Sequence, residues 1–257
     1  MIKEMIGKIV EGVDLSFEES KAVMEEIMEG KATEAQIASF ITALRMKGET
    51  VDEITGCVSV MREKATHINV GKSLVVDTCG TGGDAKCTFN ISTCAAFVVA
   101  GAGLKVAKHG NKASSSKCGS ADVLKLLGVN IDANTKIVEE CIQKANIGFL
   151  MAPLLHSSMK HAVGPRREIG IKTIFNILGP LTNPARATRQ VIGVYDAKLT
   201  DIVAKVLKKL NTEHAFVVYG YDGMDEITTT DKTKVCELKD GEIKSYFITH
   251  DSFGIKK

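Results

Sequence analysis

Residues 1–68 have the pattern of consecutive helices. Ser16 with Glu19, Thr33 with Gln36 and Thr50 with Glu53 each place a hydroxyl three residues ahead of a Glu or Gln, the reciprocal cap that starts a helix. Gly30 and Gly48 stand where the first two of these helices should close, as left-handed C-terminal positions favour glycine. Met24 and Met28 lie four apart on one helix face, which reads as core packing.

The texture changes near Gly71. Residues 73–77 form a short β-branched run, read as a buried strand; a glycine loop follows, then a helix over 91–102. Further strands are expected at 104–107, 147–151, 190–195 and 215–219, and helices at 120–127 (stopped by Gly128), 135–145 and 198–210. Residues 234–238 and 242–247 flank Lys239-Asp240-Gly241, a hairpin with an Asp-Gly turn. Pro153, Pro165, Pro180 and Pro184 mark an irregular stretch. The fold class is therefore α/β, a small N-terminal helical domain followed by a larger α/β domain with a mostly parallel central sheet. The expected division is 1–70 for the helical domain, joined by helices from about 165–185, with 71–164 and 186–257 forming the α/β domain.

Composition narrows the function classes. The 257 residues are 44% apolar and 25% charged, a profile that supports a substantial core. Lys+Arg 33 against Asp+Glu 31 leaves a net charge of +2, which does not indicate a protein-wide basic field for nucleic acid. No run approaches the ~20 apolar residues of a membrane helix, and Met1-Ile-Lys-Glu-Met-Ile carries no signal-peptide core. The seven cysteines include no Cys-x-x-Cys pair, which excludes the usual zinc spacings, argues against a disulfide framework and suits a reducing cytoplasm.

The candidate chemistry is phosphate binding. Asp77-Thr-Cys-Gly-Thr-Gly-Gly-Asp84 follows a strand, and its glycines let backbone N–H groups turn toward an anion. The spacing Gly80, Gly82, Ala85 also fits a relaxed dinucleotide fingerprint, but the next strand ends in Lys108-His109 rather than the acid that would hold a ribose. Between Asp84 and Asp122 there is no acid, while Lys86, Lys105, Lys108, Lys112 and Lys117 fall in the interval. Charged donors interleaved with the serines, His109 and Asn111 suit several phosphate oxygens, where a bare charge run would be solvated surface. Asn90-Ile-Ser-Thr93 opens a helix, either as a simple cap or as an anion site.

Asp222-Gly-Met-Asp-Glu226 offers adjacent carboxylates, a solvated turn by itself but a Mg2+ site beside a phosphate ligand. Arg166 and Arg167 stand beside Glu168, the only acid between Cys141 and Tyr195; one of the two can orient a substrate carboxylate while the other is structural. His156 and His161 are candidates for polar contacts or for ordinary packing. Gly-x-Ser-x-Gly and His-Glu-x-x-His are both absent from the sequence, so nucleophile-elbow and zincin chemistry have no support.

These motifs, together with Phe89-Asn-Ile-Ser-Thr93, Lys108-His-Gly-Asn111, Ser115-Ser-Lys-Cys-Gly-Ser-Ala-Asp122 and Phe175-Asn-Ile-Leu-Gly-Pro-Leu-Thr-Asn-Pro184, resemble the anthranilate phosphoribosyltransferases in order over essentially the whole chain. The resemblance implies a fold of the nucleoside phosphorylase/phosphoribosyltransferase type, a homodimer through the helical domain, and transfer of the phosphoribosyl group of 5-phosphoribosyl 1-diphosphate (PRPP) to anthranilate with Mg2+, two ions per active site. It further implies PRPP contacts from Gly80, Thr81, Gly82, Gly83, Asp84, Thr88, Asn90, Ser92, Thr93, Lys108 and Ser120. Gly80, His109, Asn111, His156 and Arg166 would line the anthranilate path, Ser92, Asp225 and Glu226 would bind metal, and Lys108 and Asn111 would supply electrostatic stabilisation. The family usually reads Lys-His-Gly-Asn-Arg where this chain has Lys112, and its members run on past the position of Lys257 with closing helices of the α/β domain. Two other readings are a pyrimidine-nucleoside phosphorylase, recognisable by independence of Mg2+, and a non-catalytic nucleic-acid-binding relative, recognisable by salt-dependent binding.

Overall fold

The computed structural model describes residues 1–84, 86, 88–113 and 118–256. Ala85 of the relaxed fingerprint, Cys87, residues 114–117 with their serines and Lys117, and Lys257 lie outside the described residues. The chain divides into two units, Met1–Thr66 with His156–Thr182, and His67–Leu155 with Asn183–Lys257.

The first unit is helical: α1 (Ile2–Val10), α2 (Phe17–Met28), α3 (Glu34–Lys47) and α4 (Val51–Lys64). All three expected capping boxes are formed, with Ser16, Thr33 and Thr50 accepting from the backbone N–H of Glu19, Gln36 and Glu53. Gly30 and Gly48 take positive φ at the ends of α2 and α3. Met24 and Met28 are buried, as packing residues are. Helices α1 and α3 pack together, as do α2 and α4. The cap of α4 does more than start a helix. Glu53 is fully buried; its Oε2 accepts from Thr50 N–H at 2.8 Å and Lys47 Nζ at 3.1 Å, and its Oε1 from Leu15 N–H at 2.9 Å.

The segment returning to this unit spans His156–Thr182, against the 165–185 that the sequence suggests. It is largely helical, which corrects the expected irregular stretch. Helices α9 (Lys160–Ile169) and α10 (Ile174–Leu181) contain Pro165 and Pro180, both buried. In helices this short a proline forfeits little of the hydrogen-bond ladder, and tertiary packing of the buried face outweighs propensity. The early start has the same cause: α9 packs against α2 and α3, and α10 against α4.

The second unit is a seven-stranded sheet in the order β3-β2-β1-β4-β5-β6-β7, from β1 (Val75–Gly80), β2 (Lys105–Gly110), β3 (Ile147–Met151), β4 (Arg189–Gly193), β5 (His214–Gly220), β6 (Thr233–Lys239) and β7 (Glu242–Ile248). Strands β1 to β5 pair in parallel; β6 and β7 are antiparallel. The Asp-Gly turn joins β6 to β7, with Asp240 at φ 49° and Gly241 at φ 78°, the left-handed pair a two-residue hairpin demands. The connecting helices are α5 (Ile91–Gly101), α6 (Ser120–Leu126), α7 (Thr135–Ala145), the single turn α8 (Ala152–Leu155) and α11 (Leu199–Lys209). Val106 clusters with Ala96 and Ala100 of α5, and its neighbour Ala107 with Val138 and Ile142 of α7. Successive strand residues face opposite ways, so α5 and α7 cover opposite faces. The strand order reverses between β1 and β4, and such a switch point opens a crevice at the carboxyl ends of the strands. The glycine loop leaves β1 at that point. Among the described residues no helix is long and apolar enough to cross a membrane.

Candidate active site

Two loops meet at the carboxyl end of β1. The glycine loop leaves Gly80 with Gly82 and Gly83 at φ 67° and 80°. Thr81 N–H donates to the Gly193 carbonyl at 2.9 Å, holding the loop to the end of β4. The acidic loop after β5 reaches the same place, where Asp225 Oδ2 accepts from Gly82 N–H at 2.8 Å. Gly80 and Gly193 are register partners on β1 and β4. A Cβ on Gly80 would strike the Asp225 carboxylate, and one on Gly193 the Asp225 carbonyl. Two paired glycines thus form the floor on which Asp225 sits.

The helix after the glycine loop supplies the third side. Ser92, in the first turn of α5, donates from Oγ to Glu226 Oε1 at 2.7 Å. Thr93 donates to Ser120 Oγ at 2.9 Å, tying the start of α5 to that of α6. Asn90 stands at the N-cap without capping; its amide donates to the Cys118 carbonyl at 3.1 Å. Asp122 accepts from Gly119 and Ala113 N–H at 2.8 and 2.9 Å, and these bonds hold its carboxyl below the usual range.

Lys108, on β2, is 2% exposed and donates from Nζ to the Thr78 carbonyl at 2.5 Å. The neighbouring Asp77 is fully buried, accepting from His109 N–H at 3.2 Å and Asn183 Nδ2 at 2.7 Å. Burial pushes Asp77 up to about 6 even though the Lys108 charge pulls it down. Between its ordinary 3.8 and about 6 the folded chain keeps a proton that the unfolded chain has released. This carboxyl therefore contributes stability below about pH 4 that is lost as pH rises through about 6. Relative to Asp77→Asn, the wild-type chain is expected to lose on the order of 3 kcal/mol between about pH 4 and 7. Urea unfolding of both chains at the two pH values measures this; parallel pH dependence would rule it out.

At the acidic pair burial outweighs the neighbouring charges, including the Lys108 charge that pulls Glu226 down. Burial and the adjacent Asp84 push Asp225 up to about 6. Burial, with the Asp225 charge adding to it, pushes Glu226 up to about 7 against the Ser92 hydrogen bond. Among the described residues no group of three or more His, Cys, Asp or Glu side chains is placed to hold a metal. The Ser92 hydroxyl meets the Glu226 carboxylate, with the Asp225 and Asp84 carboxylates beside them, hard oxygen donors of the kind that would suit a cation such as Mg2+.

The residues expected from the sequence fall in two places. Gly80, Thr81, Gly82, Gly83, Asp84, Thr88, Asn90, Ser92, Thr93, Lys108, His109, Asn111, Ser120, Asp225 and Glu226 belong to the α/β unit. His156 and Arg166 belong to the helical unit. His156 is buried, which pulls it down to about 4 against the hydrogen bond of the Thr182 backbone. Arg166 is half-buried with its guanidinium 5.0 Å from the Phe175 ring centre, while Arg167 is exposed. One arginine of the pair is thus packed and the other faces solvent. Sequence reasoning passed over Asp77, Asn183 and Gly193. An acid inside an apolar strand just ahead of a glycine loop is the signal that marks Asp77.

The chain matches two family models, the glycosyl transferase family a/b domain over residues 72–257 and the glycosyl transferase family helical bundle domain over residues 3–65. It is 58% identical over 255 residues to the anthranilate phosphoribosyltransferase of Acetivibrio thermocellus, covering 99% of this chain and 74% of that one. Among solved structures it is similar to anthranilate phosphoribosyltransferase from Thermus thermophilus, with a TM-score of 0.90 and 38% identity over 98% of this chain and 75% of that one. The Saccharomyces cerevisiae anthranilate phosphoribosyltransferase in complex with PRPP and Mg matches with a TM-score of 0.89 and 29% identity, over 99% of this chain and 74% of that one. With both family models matched in order, and with this identity spread over nearly the whole chain, the protein belongs to the anthranilate phosphoribosyltransferase family.

Proposed function

We infer that the chain transfers the 5-phosphoribosyl group of PRPP to the amine of anthranilate, giving N-(5-phosphoribosyl)anthranilate and diphosphate, a step of tryptophan biosynthesis. The observation that carries this reading is the seating of Asp225 on the glycine loop through Gly82 N–H at 2.8 Å, which sets carboxylates beside backbone donors for phosphate. Gly80 to Asp84, Thr88, Asn90, Ser92, Thr93, Lys108 and Ser120 hold PRPP. Gly80, His109, Asn111, His156 and Arg166 line the anthranilate path, with the Arg166 guanidinium orienting the carboxylate. Ser92, Asp225 and Glu226 hold two Mg2+ ions.

Bound Mg2+ supplies charge neutralisation of the leaving diphosphate. The N–H groups of the glycine loop beyond Gly82, together with Lys108, take up developing negative charge from positions fixed before the reaction. The aromatic amine of anthranilate is neutral near pH 7, so it needs no strong base. The contribution of this chain is positioning and electrostatics around an oxocarbenium-like ribose carbon, without a covalent enzyme intermediate. The chain works as a homodimer through its helical unit, in the cytoplasm. The phosphorylase and nucleic-acid readings find no comparable support beside 58% identity to an anthranilate phosphoribosyltransferase.

The test is incubation with PRPP, Mg2+ and anthranilate, following anthranilate fluorescence. Mg2+-dependent loss is expected; no loss with any metal concentration would overturn the reading. In the same assay Lys108→Met should weaken PRPP binding by roughly 10- to 100-fold, the worth of a charge-assisted hydrogen bond. Unchanged PRPP affinity would remove Lys108 from the phosphate site.

A further inference from the structure

The first acid of Asp222-Gly-Met-Asp-Glu226 behaves unlike the other two. Its Oδ2 accepts the hydroxyls of Thr228 and of Thr230, the latter at 2.5 Å, and its Oδ1 accepts Met224 N–H at 3.2 Å. Thr228 is 2% exposed, and its own N–H donates to Thr233 Oγ1 at 3.0 Å, at the start of β6. Gly220 N–H donates to the Met224 carbonyl at 2.9 Å and Gly223 N–H to the Gly220 carbonyl at 2.8 Å. A Cβ on Gly220 would come within 2.7 Å of Asp222 Oδ1, so the carboxylate lies tight against the strand end. The loop from the end of β5 to the start of β6 is thereby closed on one carboxylate, with Asp225 and Glu226 carried between its fixed points. Both Asp222 oxygens are occupied by donors of the loop itself, whereas Asp225 and Glu226 reach the glycine loop and α5.

We propose that Asp222 is a positioning residue for the metal-binding loop: by clamping Thr228 and Thr230 it sets where Asp225 and Glu226 present their oxygens, without touching the cation itself. This rests on the reading of Asp225 and Glu226 as metal ligands. Partners that orient a ligand set commonly carry 10- to 100-fold of metal affinity, so the clamp should be measurable in binding alone.

The experiment uses Mn2+ as the probe cation, with free Mn2+ followed by electron paramagnetic resonance in the presence of PRPP, on the full chain. Asp222→Ala should weaken Mn2+ binding by roughly 10-fold or more. PRPP binding without metal, and the melting temperature without metal, should stay near wild type, a split that a general folding defect would not give. Thr228→Ser, which keeps the hydroxyl, should bind as wild type, and Thr228→Val should resemble Asp222→Ala. If Asp222→Ala lacks a melting transition, Thr228→Val reads the same clamp from its other side. Wild-type Mn2+ affinity in both Asp222→Ala and Thr228→Val overturns the proposal alone. Failure of the wild-type chain to bind Mn2+ with PRPP overturns the metal assignment, and the proposal with it.

Discussion

Gly193→Ala is expected to lower Mg2+-dependent turnover by roughly 100-fold while leaving a folded chain, because displacing a catalytic constellation by about 1 Å costs that much. The added methyl group has nowhere to go. It would occupy the Asp225 carbonyl, on the strand neighbouring Gly80, whose own Cβ position is taken by the Asp225 carboxylate. The strand cannot retreat, since β4 is paired on one side with β1 and on the other with β5. The acidic loop must therefore lift, breaking the Gly82 N–H to Asp225 bond and moving Glu226 away from Ser92. Overpacking of this kind destabilises by about 1–3 kcal/mol, too little to unfold a domain of this size. Turnover and urea midpoint measured together separate the outcomes. Turnover within a few-fold of wild type would show that the floor is not rigid and would sink the argument.

The second large effect is on stability and lies in the helical unit. Glu53→Leu is expected to cost about 3 kcal/mol, the upper end of the penalty for leaving buried hydrogen-bonding groups without their acceptor. The fully buried carboxylate accepts from the backbone N–H groups of Leu15 and Thr50 and from the Lys47 ammonium, and through the reciprocal cap it fixes the start of α4. Leucine fills the space but leaves the buried Leu15 N–H and the half-buried Thr50 N–H without this acceptor, while Lys47 keeps Asp14 at 2.6 Å. The melting temperature should fall by roughly 10 °C by circular dichroism. Glu53→Gln, which retains one acceptor oxygen, should fall less. A change under about 2 °C for Glu53→Leu would mean that water or relaxation replaces the carboxylate.

These two sites show what a reader of the sequence can and cannot reach. Thr50 and Glu53 are three apart, and their cap is a local bond that spacing alone announces. That the same Glu53 also reaches Leu15, 38 residues away, is tertiary and leaves no local mark. The Asp-Gly turn before β7 was legible for the local reason again, since its two left-handed residues admit few side chains. The glycine loop, Lys108 and the acidic pair could be singled out because each departs from its surroundings in residue type: a glycine cluster after a strand, a lysine in an acid-free interval and two adjacent carboxylates. Asp77 and Asn183 were not, although their side chains meet at 2.7 Å, because 106 residues separate them. Pro165 and Pro180 misled in the opposite direction: local rules read them as breaks, while packing holds both inside helices. Gly193 ends a strand like many glycines, and only the loop that descends on it explains the missing side chain.

The helical unit is written in two instalments, Met1–Thr66 and His156–Thr182, with much of the α/β unit between them. A ribosome releases α1 to α4 first, and the faces of α2, α3 and α4 that later receive α9 and α10 must wait for them. During that interval the first strands of the sheet emerge with their later neighbour β4 still unmade. At about 5–20 residues per second the wait lasts several seconds, long enough for an exposed apolar helix face to meet another nascent chain or a chaperone. The carbonyl of Leu181, held at 2.7 Å by Arg62 Nε, is among the last contacts to close the bundle. Slowed translation just upstream of residue 182 should therefore be felt as lost yield of soluble protein, with no change in the activity of the molecules that finish.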